Sequence, residues 1–234
     1  MPDNPLILLF IKAPCKGHVK SRLAAVLGQD AALELYRNFV LDILASIETI
    51  GVPCRICYHP PDSEETVRNW LGDRFRYMAQ EGTDVGERME QAFRRVFSEG
   101  ASRAVLIGSD IPDLPPALLR DAVGRLDRTG AVIGPAKDGG YYLIGFRNDA
   151  FLPGIFRGIE WSTSTVFSRT LRVFERERRE VSVLPSWQDV DTIEDVKDLM
   201  SRNRNGDFSA SGTMNYLSFL KNKVNSAEVF DAKI

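Results

Sequence analysis

The chain has few of the residues that most often carry chemistry. Its 234 residues include two histidines, His18 and His59, and three cysteines, Cys15, Cys54 and Cys57. Imidazole-based nucleophilic catalysis therefore has little to draw on, and no G-x-S-x-G nucleophile elbow is present. Cys54 and Cys57 form a C-x-x-C pair, but they lie in an apolar, strand-like run. No second Cys/His pair follows at zinc spacing, so both read as core thiols. Nothing in this cysteine usage requires an oxidising compartment. Long apolar runs are missing too, which speaks against a membrane span. The N-terminus enters a strand without a charged leader, so the cytoplasm is the expected compartment. Lys and Arg total 30 against 32 Asp and Glu, a net charge of −2. That balance excludes the bulk-charge signature of a nucleic-acid binder. It leaves a small anionic ligand open, because local charge decides there. Two phosphate-binding signatures, G-x-x-x-x-G-K-[ST] and G-x-G-x-x-G, are also absent.

What the chain does have is an alternation of buried strands and amphipathic helices. Apolar runs at 6–11, 55–58, 76–79, 104–107 and 131–134 read as strands. Helical periodicity covers 31–50, 64–71, 85–97 and 116–126, with Ser63 as a cap of the second of these. Strand–helix–strand units of this kind imply a largely parallel sheet. The pattern then changes. A strand at 141–146 has no helix before it, and a helix at 163–178, a strand at 181–184 and a helix at 192–200 follow. Asp191 or Thr192 would cap the last of these. The expected fold is α/β, with a mixed, mostly parallel sheet flanked by helices. Residues 1–200 would form one domain with a nucleotide-binding first half and an acceptor-binding second half. Residues 201–234 read as a C-terminal extension: an extended or disordered connector over 202–213, then one further helix over 216–224.

The stretch Leu106-Ile107-Gly108-Ser109-Asp110-Ile111-Pro112-Asp113-Leu114-Pro115 places Asp110 at the carboxyl end of a central strand. Open α/β sheets bind ligands there. A carboxylate in that position either holds Mg²⁺ or Mn²⁺ against a phosphate or shapes a turn. Asp113 reads as the cap of the next helix. The loop after the first strand, Lys12 to Arg22, holds four cationic side chains within eleven residues and reads as a phosphate cradle or a solvated basic loop. Asp138-Gly139-Gly140 leads from a strand into an aromatic strand, either as a plain hairpin or as a loop that a ligand approaches closely. Asp189-Val190-Asp191-Thr192 supplies either an ordinary helix cap or a second carboxylate for a divalent cation. Gln80-Glu81-Gly82 with Gly86-Glu87-Arg88 would line a base or phosphate pocket, and Trp161-Ser162-Thr163 would cap a helix on the acceptor side.

Taken in order, these motifs resemble the bacterial radical-SAM/selenodomain-associated glycosyltransferase-like proteins, within the nucleotide-diphospho-sugar transferase superfamily of GT-A fold. The chain is also similar to 2-phospho-lactate guanylyltransferases and molybdenum-cofactor nucleotidyltransferases. The resemblance covers about residues 5–200. It implies a metal-dependent transferase that moves a nucleotidyl group from a nucleoside triphosphate, or a sugar from an NDP-sugar, to a small acceptor. It implies Asp110 and Asp191 as ligands of Mg²⁺ or Mn²⁺, and Lys20 and Arg22 as the phosphate-binding pair. Lys12, Pro14, Gly17, Gln80, Gly82, Gly86, Arg88 and Ser109 would complete the nucleotide site. Asp138, facing the same cleft as Asp110, would orient the acceptor or a further metal, with Gly139, Gly140, Trp161, Ser162 and Thr163 around it. Ser21 stands where the family usually has Thr. The central motif is Asp-x-x-Asp where many glycosyltransferases have Asp-x-Asp. A non-catalytic nucleotide-binding or regulatory module is the alternative of another class.

Overall fold

The computed structural model describes residues 4–225. Seven strands form one sheet: β1 (Pro5–Lys12), β2 (Cys54–His59), β3 (Arg76–Ala79), β4 (Arg103–Ile107), β5 (Ala131–Pro135), β6 (Tyr141–Arg147) and β7 (Ser182–Val183). The helices are α1 (Ser21–Leu27), α2 (Gln29–Ile50), α3 (Glu64–Leu71), α4 (Val85–Ser98), α5 (Pro116–Thr129), α6 (Val166–Arg176), α7 (Ile193–Arg202) and α8 (Gly212–Asn225). The strand order is β3-β2-β1-β4-β6-β5-β7, and β6 alone runs against its neighbours. Helical crossovers make β1 to β5 parallel, whereas the five residues between β5 and β6 allow only a hairpin return. The order reverses between β1 and β4, so their carboxyl ends open a crevice where a doubly wound sheet takes its ligand.

Alternate residues of β1 feed the two faces of the sheet. Ile7, Leu9 and Ile11 pack with Val40, Ile43, Leu44 and Ile47 of α2 and with Leu119, Ala122 and Leu126 of α5. Leu8 and Phe10 pack with Met89, Phe93 and Phe97 of α4 and with Phe174 of α6. Phe93 meets Phe146 of β6 edge-on at 5.1 Å between ring centres. Each such buried ring contributes about 2–3 kcal/mol by area alone. A third cluster joins Leu23, Leu35 and Phe39 to Val196, Leu199, Met214 and Leu217, which docks α7 and α8 onto α1 and α2.

Several local expectations change. The 21–27 segment forms α1, which begins directly after Lys20. Ser63 precedes α3 but does not cap it; its hydroxyl donates instead to the Pro60 carbonyl at 2.5 Å. The 202–213 stretch is not a featureless connector. It carries a short 3-10 turn, Asp207–Ala210, and its end is held by Asp42, whose carboxylate accepts from the Gly212 and Thr213 amides.

Asp113 is also not a helix cap, because Pro115 occupies that position of α5. The Asp113 side chain is 1% exposed, and a buried carboxylate must be paired. Arg202 donates to it through Nε at 2.7 Å and Nη2 at 3.0 Å, Asn203 through Nδ2 at 2.8 Å, and Trp187 through Nε1 at 3.1 Å. This cluster ties the loop after β4 to the end of α7. Asp113→Ala strands the Arg202 guanidinium and should lower stability by about 3 kcal/mol. The midpoint of a urea denaturation curve reads that loss; a shift below about 0.5 kcal/mol would show that the cluster does not hold the two segments.

Candidate functional site

The carboxyl ends of β1, β2, β3 and β4 frame a cavity of about 430 Å³. Lys12, Lys20, Arg22, Gln80, Arg88, Ser109, Asp110 and Asp191 line it, so most of the residues singled out for nucleotide and metal converge there. Pro14, Gly17, Gly82 and Gly86 do not line it. Gly82 instead supports the wall. Its carbonyl accepts from Arg88 Nε at 3.1 Å, and with φ at +137° a side chain there would press on Glu87 and Arg88.

Lys20 stands at the centre. Its backbone is left-handed, with φ 48° and ψ 48°, immediately before α1. That turn sends the side chain inward, where 3% of it is exposed. The ammonium donates to the Val190 carbonyl and to Asp191 Oδ1, each at 2.7 Å, and also pairs with Asp110 Oδ1. Burial pulls Lys20 toward its neutral form, but the facing Asp110 and Asp191 carboxylates outweigh it, so its pKa stands above the ordinary lysine value. The two carboxylates are brought together by the backbone as well, since the Val190 amide donates to the Asp110 carbonyl at 2.8 Å. Asp191 is free for this because Thr192 caps α7 in a capping box with Asp195.

Three oxygens thus already converge on one cation. Among the described residues no group of three or more His, Cys, Asp or Glu side chains forms a ready-made metal cage. Two carboxylates that depend on a phosphate and water for the remaining positions suit Mg²⁺ or Mn²⁺, and the donor set here is of that kind.

Two groups of this cavity were not expected from the sequence as ligand contacts. Tyr36 reads as one apolar position of α2, yet its hydroxyl accepts from the Lys12 amide at 2.8 Å, donates to the Lys12 carbonyl at 3.0 Å and reaches Ser109 Oγ at 3.4 Å. His59 ends β2, and its position at a strand terminus was the available signal. Burial, then the nearby Arg88 and Lys12 cations, hold its imidazole below the ordinary pKa. Its Nδ1 is buried without a hydrogen-bond partner among the described residues. Gln80 is buried, and its amide nitrogen is spent on the Ile11 and Cys57 carbonyls.

A second, smaller cavity of about 220 Å³ adjoins the first, sharing Phe10, Val85 and Gly108 with it. Asp138, Gly140, Trp161, Ser162 and Thr163 line it, whereas Gly139 lies against the Ser164 backbone. Asp138 therefore faces this neighbouring space rather than the cavity of Asp110, and its Oδ1 accepts from the Gly140 amide at 2.8 Å. Trp161, Ser162 and Thr163 do not cap α6, which begins later with Thr165 ahead of it.

Asp189 lies between these carboxylates. Burial first, then the Asp138, Asp191 and Asp110 charges, push its pKa up to about 6. A carboxyl whose folded pKa exceeds its unfolded one near 4 penalises the folded state once ionised. The penalty is complete above about pH 6 and fades as the pH falls through that value toward 4. Because Asp189 is partly exposed, solvent screening limits it to about 1 kcal/mol. In the absence of divalent cations, Asp189→Asn should be about 1 kcal/mol more stable than wild type at pH 7.5 and more stable by only about a third of that at pH 4.5. Thermal melts at both pH values test this, and an equal effect at both would remove the electrostatic explanation.

Comparison with known proteins supports this geometry at the level of the fold. A solved structure from Desulfovibrio desulfuricans, provisionally designated a nucleotide-diphospho-sugar transferase, superposes with a TM-score of 0.91 at 43% identity. The match covers 96% of this chain and 98% of that one. A 4-diphosphocytidyl-2C-methyl-D-erythritol synthase from Anaerococcus prevotii matches with a TM-score of 0.57 at 11% identity, covering 87% of this chain and 99% of that one. A CMP:2-keto-3-deoxy-manno-octonic acid synthetase complexed with CTP matches with a TM-score of 0.55 at 11% identity, covering 86% and 100%. At such identity these last two establish the fold alone, and it is the fold of the 43%-identical structure. No curated protein sequence matches the chain. The model of a family described as an uncharacterized protein conserved in bacteria, DUF2064, matches residues 43–163, and the chain belongs to that family.

Proposed function

We propose that this protein is a transferase that uses a nucleotide donor, a nucleoside triphosphate or an NDP-sugar, together with Mg²⁺ or Mn²⁺. The observation that carries the reading is the Lys20 ammonium held by Asp110 and Asp191 inside a cavity that Lys12, Arg22 and Arg88 also line. Cations around a carboxylate pair suit a polyphosphate with its counter-ion. The name of the 43%-identical relative agrees with such a donor.

In this reading Asp110 and Asp191 would hold the divalent cation, which when bound neutralises phosphate charge. Lys20, Arg22 and Lys12 would face the phosphates. Ser109, Gln80, His59 and Arg88 would line the nucleoside end, with Gln80 locked by its two backbone acceptors. Asp138 would face the acceptor from the adjoining cavity. Transfer at phosphorus or at an anomeric carbon asks little covalent help of the protein, so positioning and charge neutralisation supply most of the rate. Two products separate the two donors: pyrophosphate from a triphosphate, or a nucleoside diphosphate from an NDP-sugar.

A thermal-shift screen of nucleotides and NDP-sugars with and without Mn²⁺ should find a ligand that raises the melting point, since saturation at 100 times Kd adds about 2.7 kcal/mol. With that ligand, Asp110→Asn should weaken metal-dependent binding at least tenfold in calorimetry while circular dichroism stays unchanged. Unaltered affinity in that variant would refute the metal assignment. Binding without turnover to either product would favour the non-catalytic module.

A further inference from the structure

The two adjoining cavities differ in charge. Every lysine and arginine that reaches the site, Lys12, Lys20, Arg22 and Arg88, lines the larger cavity. Among the described residues none lines the smaller one, whose single charged group is Asp138. Its walls are Phe10, Val85, Met89, Tyr141, Trp161 and Val166, and Ser162 and Thr163 add hydroxyls to the lining.

These walls are preset. A side chain on Gly86 of α4 would come within 2.4 Å of the Trp161 ring, so the indole lies directly on the helix backbone. Trp161 also meets Tyr141 edge-on at 6.3 Å. Tyr141 in turn lies against Met89, its hydroxyl 3.8 Å from the sulfur. Gly134 likewise accommodates the ring of Tyr142, whose hydroxyl donates to the Pro185 carbonyl at 3.1 Å. The Thr163 hydroxyl is spent on the Glu160 carbonyl. Ser162, with φ +64°, sits in a left-handed turn and also lines the cavity.

We propose that the smaller cavity takes an uncharged hydroxyl compound with an apolar, ring-sized body, and selects against the phosphorylated form of such a compound. The body would lie on Trp161 and Tyr141, and the hydroxyl would donate to Asp138. A phosphate there would stand opposite the Asp138 carboxylate with no cation among the lining residues, which disfavours it. The inference rests on the larger cavity being the nucleotide site only where it calls this compound the acceptor.

The test is a matched pair of probes, benzyl alcohol and benzyl phosphate, titrated into the full chain and followed on the Trp161 indole N–H by ¹⁵N NMR. Trp161→Phe identifies that resonance among the three tryptophans. Benzyl alcohol should shift it along a saturating curve, and benzyl phosphate should bind at least tenfold more weakly. Asp138→Asn should narrow that gap. Equal or tighter binding of the phosphate overturns the proposal, and so does an indole that answers neither probe. Both titrations are run without nucleotide or metal. A failure of the nucleotide reading would appear separately, as the absence of any nucleotide melting shift, and would leave the selectivity of this cavity standing.

Discussion

A single buried ammonium organises the rim at the carboxyl ends of the parallel strands. Lys20 reaches Asp110 after the central strand and both Val190 and Asp191 just before α7. An unpaired lysine at 3% exposure would cost several kcal/mol, and two unpaired carboxylates facing each other would repel. Each group therefore stabilises the presence of the others, and removing one leaves a charge uncompensated. The left-handed turn at Lys20, the Val190–Asp110 backbone hydrogen bond and the Thr192 capping box all act to keep those three charges in register. The Asp113 cluster does the same from beneath, fixing α7 against the loop after β4.

The rim also separates charged from aromatic chemistry. The cations and the Asp110–Asp191 pair share the first cavity, and aromatic rings line the second. That layout follows from topology. The parallel strands deliver their carboxyl ends, and the loops that carry polar residues, to the first cavity. The antiparallel β6 delivers its amino end, Tyr141, to the second. A reversed strand thus changes the kind of surface offered to a ligand.

Much of this was legible in the sequence. Apolar runs and helical spacing located every strand and the main helices, because burial on both faces leaves continuous apolar stretches. The strand-end rule located Asp110 and the basic loop that carries Lys20, whereas Lys20 itself and Asp191 were singled out by the family resemblance. Asp113 was misread because its local context, two residues before a proline, looks like a cap; its partners Arg202 and Asn203 lie some ninety residues away. Tyr36 was invisible as a site residue because a tyrosine at a helical apolar position counts as core, and only the fold shows its hydroxyl reaching Lys12. The 202–213 stretch, rich in Asn, Ser and Gly, lacks a core of its own. Its order comes from Asp42 of α2, a contact that composition cannot encode.

The contacts of Lys20 with Val190 and Asp191 span 170 and 171 positions of chain. During synthesis, the parallel first half can pair its strands while the later segment is still being made. Its basic loop would then present an uncompensated lysine until the residues around Asp191 emerge. The rim therefore cannot close until Val190 and Asp191 have been made, and a chain cut before Val190 would include all seven strands yet lack the clasp at its mouth.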